Sequence, residues 1–557
     1  SVWCSVIAFK IIYCSLFIIL IVGNFWGNLQ IFPLDIKEEY EYIIVGTGVG
    51  GSTVAAGIKS DDVLILEAGT EAFTMMNIPT MGPMLQNSPY EWNFYTEPQE
   101  SGAKALKNRQ VHLPLGRILG GSHMLNLMMY IRGHPDDYRD FVEQDYDFQR
   151  DIEEHFEQFE RDLKPQELKF HTKLADAFVE AGQESGLANF TRPRVTQRHG
   201  MRFTMAKFHQ ELKNPGHRVI LGASVTRVIL EEDQKTARGV EFTRSGKTYS
   251  VRARKGVILS AGAIGSPKIL LQSGIGPKQH LEYIGIPVRV DLPVGENLLD
   301  HVTTGLDLLI LNESLNLNMG DILSPRTLYS MIHAEGPLTM AGVESSAVLE
   351  TSGYPELQFM VLPVGITNDF GVHMRKITNI DDGVWEKYFK LMLGTPSATI
   401  LPVVLHPRSR GVVRLRDSNP QSSPIIDPRY LSHVDDKKLL VSGIRILQEI
   451  FNTEAMRKIG AEMNPLIFPG CEHHEWDSND YWMCYVEHLT LTTYHPVSTC
   501  RMGEVVGRDF QVLRMKKLFI VDGSVLPQMP SGNTMASIGM LANRFLAIHR
   551  ISRHSGQ

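Results

Sequence analysis

Apolar residues in this chain gather in short runs closed by glycine-rich or charged turns. Tyr42–Val45 is a β-rich apolar run that meets a glycine cluster, Ser52–Ile58 continues in small residues as a helix, and Val63–Leu66 is a second apolar run closed by Glu67. That order predicts strand, turn, helix, strand. Further along, Arg218–Glu241 reads as strand, turn and strand, and Gly256–Ser260 is an apolar strand running into another glycine turn. The runs LQFMVLPVGI (Leu357–Ile366) and GVVRLRD (Gly411–Asp417) alternate with polar loops. Near the C-terminus a buried-type strand leads to an Asp522-Gly523 turn and then to a glycine-asparagine turn that opens a helix. No fixed-period repeat is evident, which argues against a solenoid.

The first residues follow another pattern. Lys10 precedes an apolar-rich run from Ile11 to Val22, the basic and hydrophobic regions of a secretory signal. The span Val2–Trp26 also reaches the ~20 residues of a membrane-crossing helix, with Lys10 inside it. The expectation is a secreted protein with a leader over residues 1–34, the alternative being an anchor through residues 2–26. Secretion bears on the cysteines, of which there are 5. Cys471 and Cys484 flank a short acidic, aromatic segment and read as a disulfide in an oxidising compartment or as two buried thiols. Asn189-Phe190-Thr191 and Asn312-Glu313-Ser314 are glycosylation sequons compatible with that route.

Composition narrows the function classes. The chain has 557 residues, 43% of them hydrophobic and 21% charged, an ordinary globular balance. Acidic residues number 62 against 55 basic, a formal charge of -7, which disfavours a nucleic-acid partner. No stable membrane partner and no metal site are expected.

The informative chemistry begins at Gly46, Gly48 and Gly51, a G-x-G-x-x-G turn between strand and helix. Gly46 permits the tight turn, Gly48 lets backbone amides at Thr47 and beyond approach a pyrophosphate, and Gly51 lets helix and strand pack closely. The helix N-terminus offers unpaired N–H groups to phosphate, and Glu67 is placed to accept hydrogen bonds from a ribose. The motif serves NAD and FAD alike, so other segments must decide.

Three do. PLGRILGGSHMLNLMMYIRG (Pro114–Gly133) carries a Gly120-Gly121-Ser122 turn and the amide of Asn126; GAIGSPKILLQSGIG (Gly262–Gly276) follows the apolar strand; YHPVSTCRMG (Tyr494–Gly503) precedes the Asp522-Gly523 and Gly532-Asn533-Thr534 turns. Together these resemble the glucose-methanol-choline (GMC) oxidoreductases, flavoenzymes that oxidise alcohols with FAD, over nearly the whole chain after the leader. Within the family, the leader, the Y-H-P-V-x-T-C-R-M-G form and the Cys471/Cys484 pair most resemble the insect glucose dehydrogenase-like branch, which includes ecdysone oxidases.

The resemblance implies an α/β fold in which a Rossmann-like FAD domain is interleaved with an antiparallel-sheet substrate domain. The FAD domain is expected over residues 35–150, 196–301 and 491–557, the substrate domain over 302–490, and a cap segment over 151–195. Cofactor contacts are implied for Gly46, Thr47, Gly48, Gly51, Glu67, Gly121, Ser122, Asn126, Val225 (through its backbone to adenine), Gly262, Asp522, Gly523, Asn533 and Thr534.

Oxidising an alcohol needs a base for the hydroxyl proton. Neutral imidazole, with a reference pKa of ~6.5, suits that task. The family pairs a histidine with a downstream His or Asn, here His495 and Asn533, and the Asn amide can stabilise a developing alkoxide without titrating. A small-molecule alcohol, sugar or sterol-like, and an acceptor, oxygen or a quinone, follow as partners. The apolar run Leu357–Ile366, if it lines the pocket, leans toward a bulky, mostly apolar alcohol, the alternative being that these residues are simply core. The contrasting readings are an ecdysone oxidase-type steroid alcohol oxidase specifically and a catalytically impaired FAD-binding or carrier protein.

The chain departs from the family pattern in five places. His123 stands where the family has a small residue. Leu125 stands where some members carry the histidine that attaches FAD, so FAD is expected to be non-covalent. Ser498 replaces a glycine, and Thr534-Met535-Ala536-Ser537 replaces the usual sequence after the second turn. The segment after Gly133 lacks the usual Gly-Trp elements.

Overall fold

The first apolar run becomes the strand β1 (Glu39–Val45), whose last three residues are buried because a parallel strand lies on each side. The computed structural model describes residues 36–142, 145–315 and 325–553 and position 15, so the rest of the expected leader lies outside the described residues. β1 turns into α1 (Val49–Gly57), and β2 (Val63–Leu66) returns parallel to it, Tyr42 against Val63 and Val45 against Leu66.

On the other flank is β3 (Lys247–Leu259), a strand of two characters. Its first part pairs antiparallel with Ala237–Arg244 and is mostly exposed, with Val251 and Ala253 turned inward. Its last four residues pair parallel with β1 and with Leu518–Ile520 and are buried throughout. An antiparallel edge keeps one face wet, whereas a parallel centre is covered on both, so only the second part reads as an apolar run.

The seven-stranded sheet runs His217–Ile220, β2, β1, β3, Ala237–Arg244, Ser224–Leu230, with Leu518–Ile520 also against β3. The stretch Arg218–Glu241 therefore contributes to three strands, its first pairing with β2 and not with its sequence neighbour. α2 (Gly262–Gln272) follows β3, and α3 (Thr534–Ile548) packs along α1, where Gly57 leaves room for Leu546.

A second, eight-stranded sheet is centred on the antiparallel neighbours β4 (Ser345–Thr351), β5 (Tyr354–Leu362) and β6 (Ser397–Val404). Leu357, Phe359 and Val361 of β5 point into a core shared with Leu440, Ile444 and Leu447 of the helix Val434–Phe451. Met360, between them, points to the opposite face and meets Met129, Val343 and Val403. The fold is thus mixed α/β, a Rossmann-like sheet interleaved with an antiparallel-sheet domain. Cys471 and Cys484 are joined by a disulfide on the second domain, Cα–Cα 5.8 Å. Among the described residues no helix is long and apolar enough to cross a membrane.

Several segment assignments need correction. The run Gly411–Asp417 is not in the large sheet: Val412–Arg414 pairs only with Ile425–Asp427, and Val413 packs against Ile264 of α2 and Phe94. The cap segment 151–195 is divided. In the helix Glu154–Leu163, Phe156 and Phe159 join the core of the Rossmann-like body, Phe159 lying in the notch left by Gly539 on α3. The helix Lys173–Glu184 instead packs with Phe359 in the other core. The hairpin tip Ala103–Val111, expected in the nucleotide domain, also enters the second core. Leu491–Thr492 pairs with Val302–Thr303, so the last segment begins inside the second sheet.

Candidate active site

The β1–α1 turn is shaped by backbone contacts that exclude side chains. Gly46 has φ +99, and a Cβ there would lie 2.4 Å from the Ser260 carbonyl oxygen; a Cβ on Gly51 would lie 2.0 Å from that of Gly46. Gly50, which the G-x-G-x-x-G spacing passes over, is equally confined, 2.2 Å from the Val521 carbonyl. Gly48 differs, with nothing within 4 Å of its Cβ direction, and no side chain caps the N-terminus of α1 there. Open space above uncapped N–H groups is the cradle a pyrophosphate requires.

Gly121, φ +57, brings the second turn against it, its Cβ direction 2.9 Å from Gly48 Cα. Thr47 ties these parts together: its hydroxyl donates to Glu67 Oε2 at 2.5 Å and accepts from Gly120 N at 3.1 Å. The Glu67 carboxylate also accepts from Thr47 N at 3.0 Å and Gly69 N at 2.8 Å, while burial pushes its carboxyl upward against those donors. Ser122 Oγ is turned back to Gly116 N at 3.1 Å. The loop before Val225 reaches the end of β2, Ala223 N donating to the Glu67 carbonyl at 2.8 Å. The residues expected to hold a dinucleotide therefore converge, and an FAD fits them.

The Asp522 side chain is already engaged within the protein. Its carboxylate accepts from Gly262 N at 2.9 Å, Ser266 Oγ at 2.6 Å, Ser524 N at 2.8 Å and Ser524 Oγ at 2.5 Å. A carboxylate has about four lone-pair sites, so this side chain clamps the start of α2 and leaves the cofactor only its backbone. A second clamp follows from Pro267 inside α2, which removes the N–H that would bond the Ala263 carbonyl. Thr499 Oγ1, from the V-S-T-C-R segment, donates to that carbonyl at 2.6 Å.

His495 and Asn533 meet, Asn533 Nδ2 lying 3.2 Å from His495 Nε2. The partner that the sequence reading missed is His301, fully buried, whose Nδ1 is 2.9 Å from His495 Nδ1. Its Nε2 faces two carbonyls, Leu405 at 3.1 Å and Pro530 at 3.2 Å, so that nitrogen carries the proton and Nδ1 is an acceptor. His495 Nδ1–H must then donate to it, which leaves His495 Nε2 unprotonated, the nitrogen beside Asn533.

Thr493 Oγ1, 3.0 Å away, is a second acceptor for the same N–H. Asp300 holds the His495 backbone N–H at 2.9 Å and also accepts from Thr492 and Tyr430; burial pushes this carboxyl up to about 6. Burial lowers His495 to about 4 and His301 well below the usual imidazole range, so both are neutral near pH 7. Asn533 Oδ1 is buried without a partner, and no side chain caps α3. An unfilled acceptor and free helix N–H groups, with Thr534 first on the helix, are suited to a polar ring edge. The adjacent pair Asp300-His301 offered a signal, since a carboxylate and an imidazole sit together in NLLDH.

The departures from the family pattern are absorbed locally. Ser498 adopts the left-handed conformation, φ 71, which disfavours a side chain by ~1–2 kcal/mol, and its hydroxyl donates to the Leu526 carbonyl in partial compensation. Asn126 Nδ2 donates to Met535 Sδ at 3.7 Å, and Ser537 Oγ pairs with Tyr138 at 2.7 Å, so both replacements after the Asn533 turn acquire partners. His123 is buried, with Nε2 3.3 Å from Thr196 Oγ1 and Nδ1 unpartnered.

Comparison with known proteins bears on the family and the fold. Residues 40–303 and 407–542 match the N- and C-terminal family profiles described as GMC oxidoreductase. The chain is 29% identical to glucose dehydrogenase (FAD, quinone) of Drosophila melanogaster, covering 91% of this chain and 86% of the relative. It is 31% identical to alcohol dehydrogenase (acceptor) of Pseudomonas putida, covering 90% and 94%. The structure of pyridoxine 4-oxidase from Mesorbium loti superposes with a TM-score of 0.74 at 25% identity, covering 93% and 100%.

Proposed function

The chain belongs to the GMC oxidoreductase family and is an FAD-dependent enzyme acting on CH–OH substrates, and from this premise we propose that it oxidises a bulky, mostly apolar alcohol to a carbonyl with His495 as base and Asn533 as alkoxide donor. The observation that carries the reading is the His301–His495 pair, which leaves Nε2 free to accept a proton. An FAD held at the Gly46–Gly51 turn and the Asn533 end would supply the acceptor for the hydride of the substrate carbon. His495 Nε2 takes the hydroxyl proton, and the resulting imidazolium is stabilised by its Nδ1–H bond to His301. Asn533 Nδ2 supplies a donor to the developing alkoxide.

The substrate class is supported by the apolar cluster next to this pair. Leu127, Ile131, Leu362 and Leu401 are partly buried around Met360 and Val343, and Ile131 abuts the Asn533 turn, 2.6 Å from the Cβ direction of Gly532. A sugar remains the second reading, favoured by the likeness to the Drosophila glucose dehydrogenase. Oxygen or a quinone would reoxidise the flavin. The signal-like leader and the Cys471–Cys484 disulfide support secretion.

The test is anaerobic mixing of the holoenzyme with aryl alcohols, ecdysteroids and glucose while flavin bleaching is followed. Apolar alcohols should reduce it fastest. Glucose as the best reductant overturns the substrate class, and no reduction by any alcohol leaves the carrier reading.

Two further outcomes follow from the dyad. His495, lowered to about 4, is neutral above that pH and protonated below it. Flavin reduction should therefore be level from about pH 7 to 8, lose no more than a small factor as Asp300, pushed up to about 6, takes up its proton, and fall tenfold per unit only below about 4. An acid limb centred near ~6.5, the free imidazole value, would show that burial does not govern the base. His301→Leu removes one acceptor for His495 Nδ1–H and keeps Thr493, so reduction should slow by ~10-fold to ~100-fold with FAD content unchanged. A rate equal to wild type would mean that Thr493 alone orients the base.

A further inference from the structure

Arg202 is a buried cation without an acid. It is 1% exposed, and among the described residues no carboxylate lies within ion-pair distance. Its Nη1 donates to two neutral acceptors, the His123 carbonyl at 3.0 Å and Asn126 Oδ1 at 2.8 Å, and its Nε is buried without a partner. A second cation is close, Lys207 Nζ donating to the Arg202 carbonyl at 2.7 Å. Burial, with Arg202 nearby, lowers Lys207 to about 8, and His123 is held neutral, lowered to about 3. Neither can serve as counter-ion. An isolated buried charge is strongly unfavourable unless something pairs with it, so Arg202 calls for a nearby anion; Lys207, half-buried and within the field of Glu211, adds to the positive charge beside it.

The position indicates which anion. Thr204 and Ala206, in the same segment, lie against Gly120, whose neighbour Gly121 touches the phosphate-type turn at Gly48. Asn126 links the other way: Oδ1 accepts from Arg202 and from Met128 N at 3.1 Å, while Nδ2 reaches Met535 on the helix that begins after Asn533. Arg202 thus stands behind the residues that bridge the pyrophosphate cradle and the His495–Asn533 end.

We propose that Arg202 is a positioning residue for FAD: its charge, unbalanced in the protein alone, is balanced by the anionic cofactor, and its Nη1 sets the orientation of the Asn126 amide. This rests on FAD being the bound group. A purely structural arginine would stabilise the protein with and without FAD alike. An arginine balanced by the cofactor stabilises only the loaded form.

The test follows FAD release from diluted holoenzyme by recovery of flavin fluorescence, with thermal unfolding in the presence and absence of excess FAD, for wild type, Arg202→Met, Arg202→Lys and Lys207→Met. Arg202→Met should weaken FAD binding about tenfold or more and shrink the FAD-induced rise in unfolding temperature, with the FAD-free protein unfolding no earlier than wild type. Arg202→Lys, which keeps the charge, should stay within about threefold, and Lys207→Met should weaken binding by a smaller factor than Arg202→Met. Equal FAD affinity in Arg202→Met, or equal losses of stability with and without FAD, overturns the proposal. If Arg202→Met does not fold, Lys207→Met decides: weakened binding supports the charge balance, and wild-type affinity overturns it. Wild-type protein that fails to bind FAD would instead refute the cofactor assignment.

Discussion

Replacing His495 by alanine is expected to slow anaerobic reduction of the flavin by ~10²-fold or more while the protein remains yellow. The side chain meets His301, Thr493 and Asn533, whereas the backbone N–H that Asp300 holds at 2.9 Å survives truncation. The loop should therefore keep its course, and the loss should fall on proton removal. Single-turnover measurement separates this from substrate binding, because saturating alcohol cannot restore a missing base. An unchanged reduction rate on a substrate that wild type oxidises would remove His495 from the mechanism.

The second large effect concerns two glycines three positions apart, which should fail in different ways. Gly51→Ala drives a methyl to 2.0 Å from the Gly46 carbonyl oxygen, inside the turn itself. No flexible side chain can yield there, so α1 must separate from β1, at a cost of at least ~3 kcal/mol, the upper end of overpacking. The variant should be colourless and unfold early even without cofactor. Gly48→Ala meets nothing within 4 Å in the protein, so the FAD-free fold should unfold at the wild-type temperature. Its methyl occupies the space a pyrophosphate needs, and FAD affinity should fall. Thermal unfolding with and without FAD distinguishes the two; equal behaviour of both variants would refute the division between packing and binding glycines.

Legibility in the sequence followed how local the physics was. The β1–α1–β2 unit could be read because its turn needs glycines at fixed spacing and its strands, buried on both faces, need unbroken apolar runs. The first part of β3 was hidden, since antiparallel pairing with one wet face left it polar, KTYSVRAR, and only Gly256–Ser260 looked like a strand. Gly411–Asp417 misled for the converse reason: Val413 is buried, but against α2 and Phe94 instead of the large sheet. Apolarity shows that a residue is covered without showing by which body.

The same division holds at the site. The flanking motifs, through the family resemblance, pointed to His495 and Asn533, which the structure brings within 3.2 Å of each other. What Asp522 does with its side chain was not legible: four donors from α2 and the Ser524 turn fill its carboxylate. His301 lies 194 positions from His495 and is brought to it by antiparallel pairing of Val302–Thr303 with Leu491–Thr492, a ladder extended by Thr493 N to the His301 carbonyl at 3.1 Å.

Read without coordinates, the chain points to the nucleotide turn from its glycine spacing and, through the resemblance its motifs carry, to the interleaved α/β plan and to the pair His495 and Asn533, because each depends on neighbours close in sequence or on a recognisable motif. Folding alone settles which nitrogen of His495 is unprotonated, which carboxylates are already occupied and that Arg202, among the described residues, has no carboxylate beside it. Those properties depend on donors, acceptors and charges counted in three dimensions, and most of their members come from strands and loops far apart in sequence, 194 positions for His301 and His495 and 76 for Arg202 and Asn126.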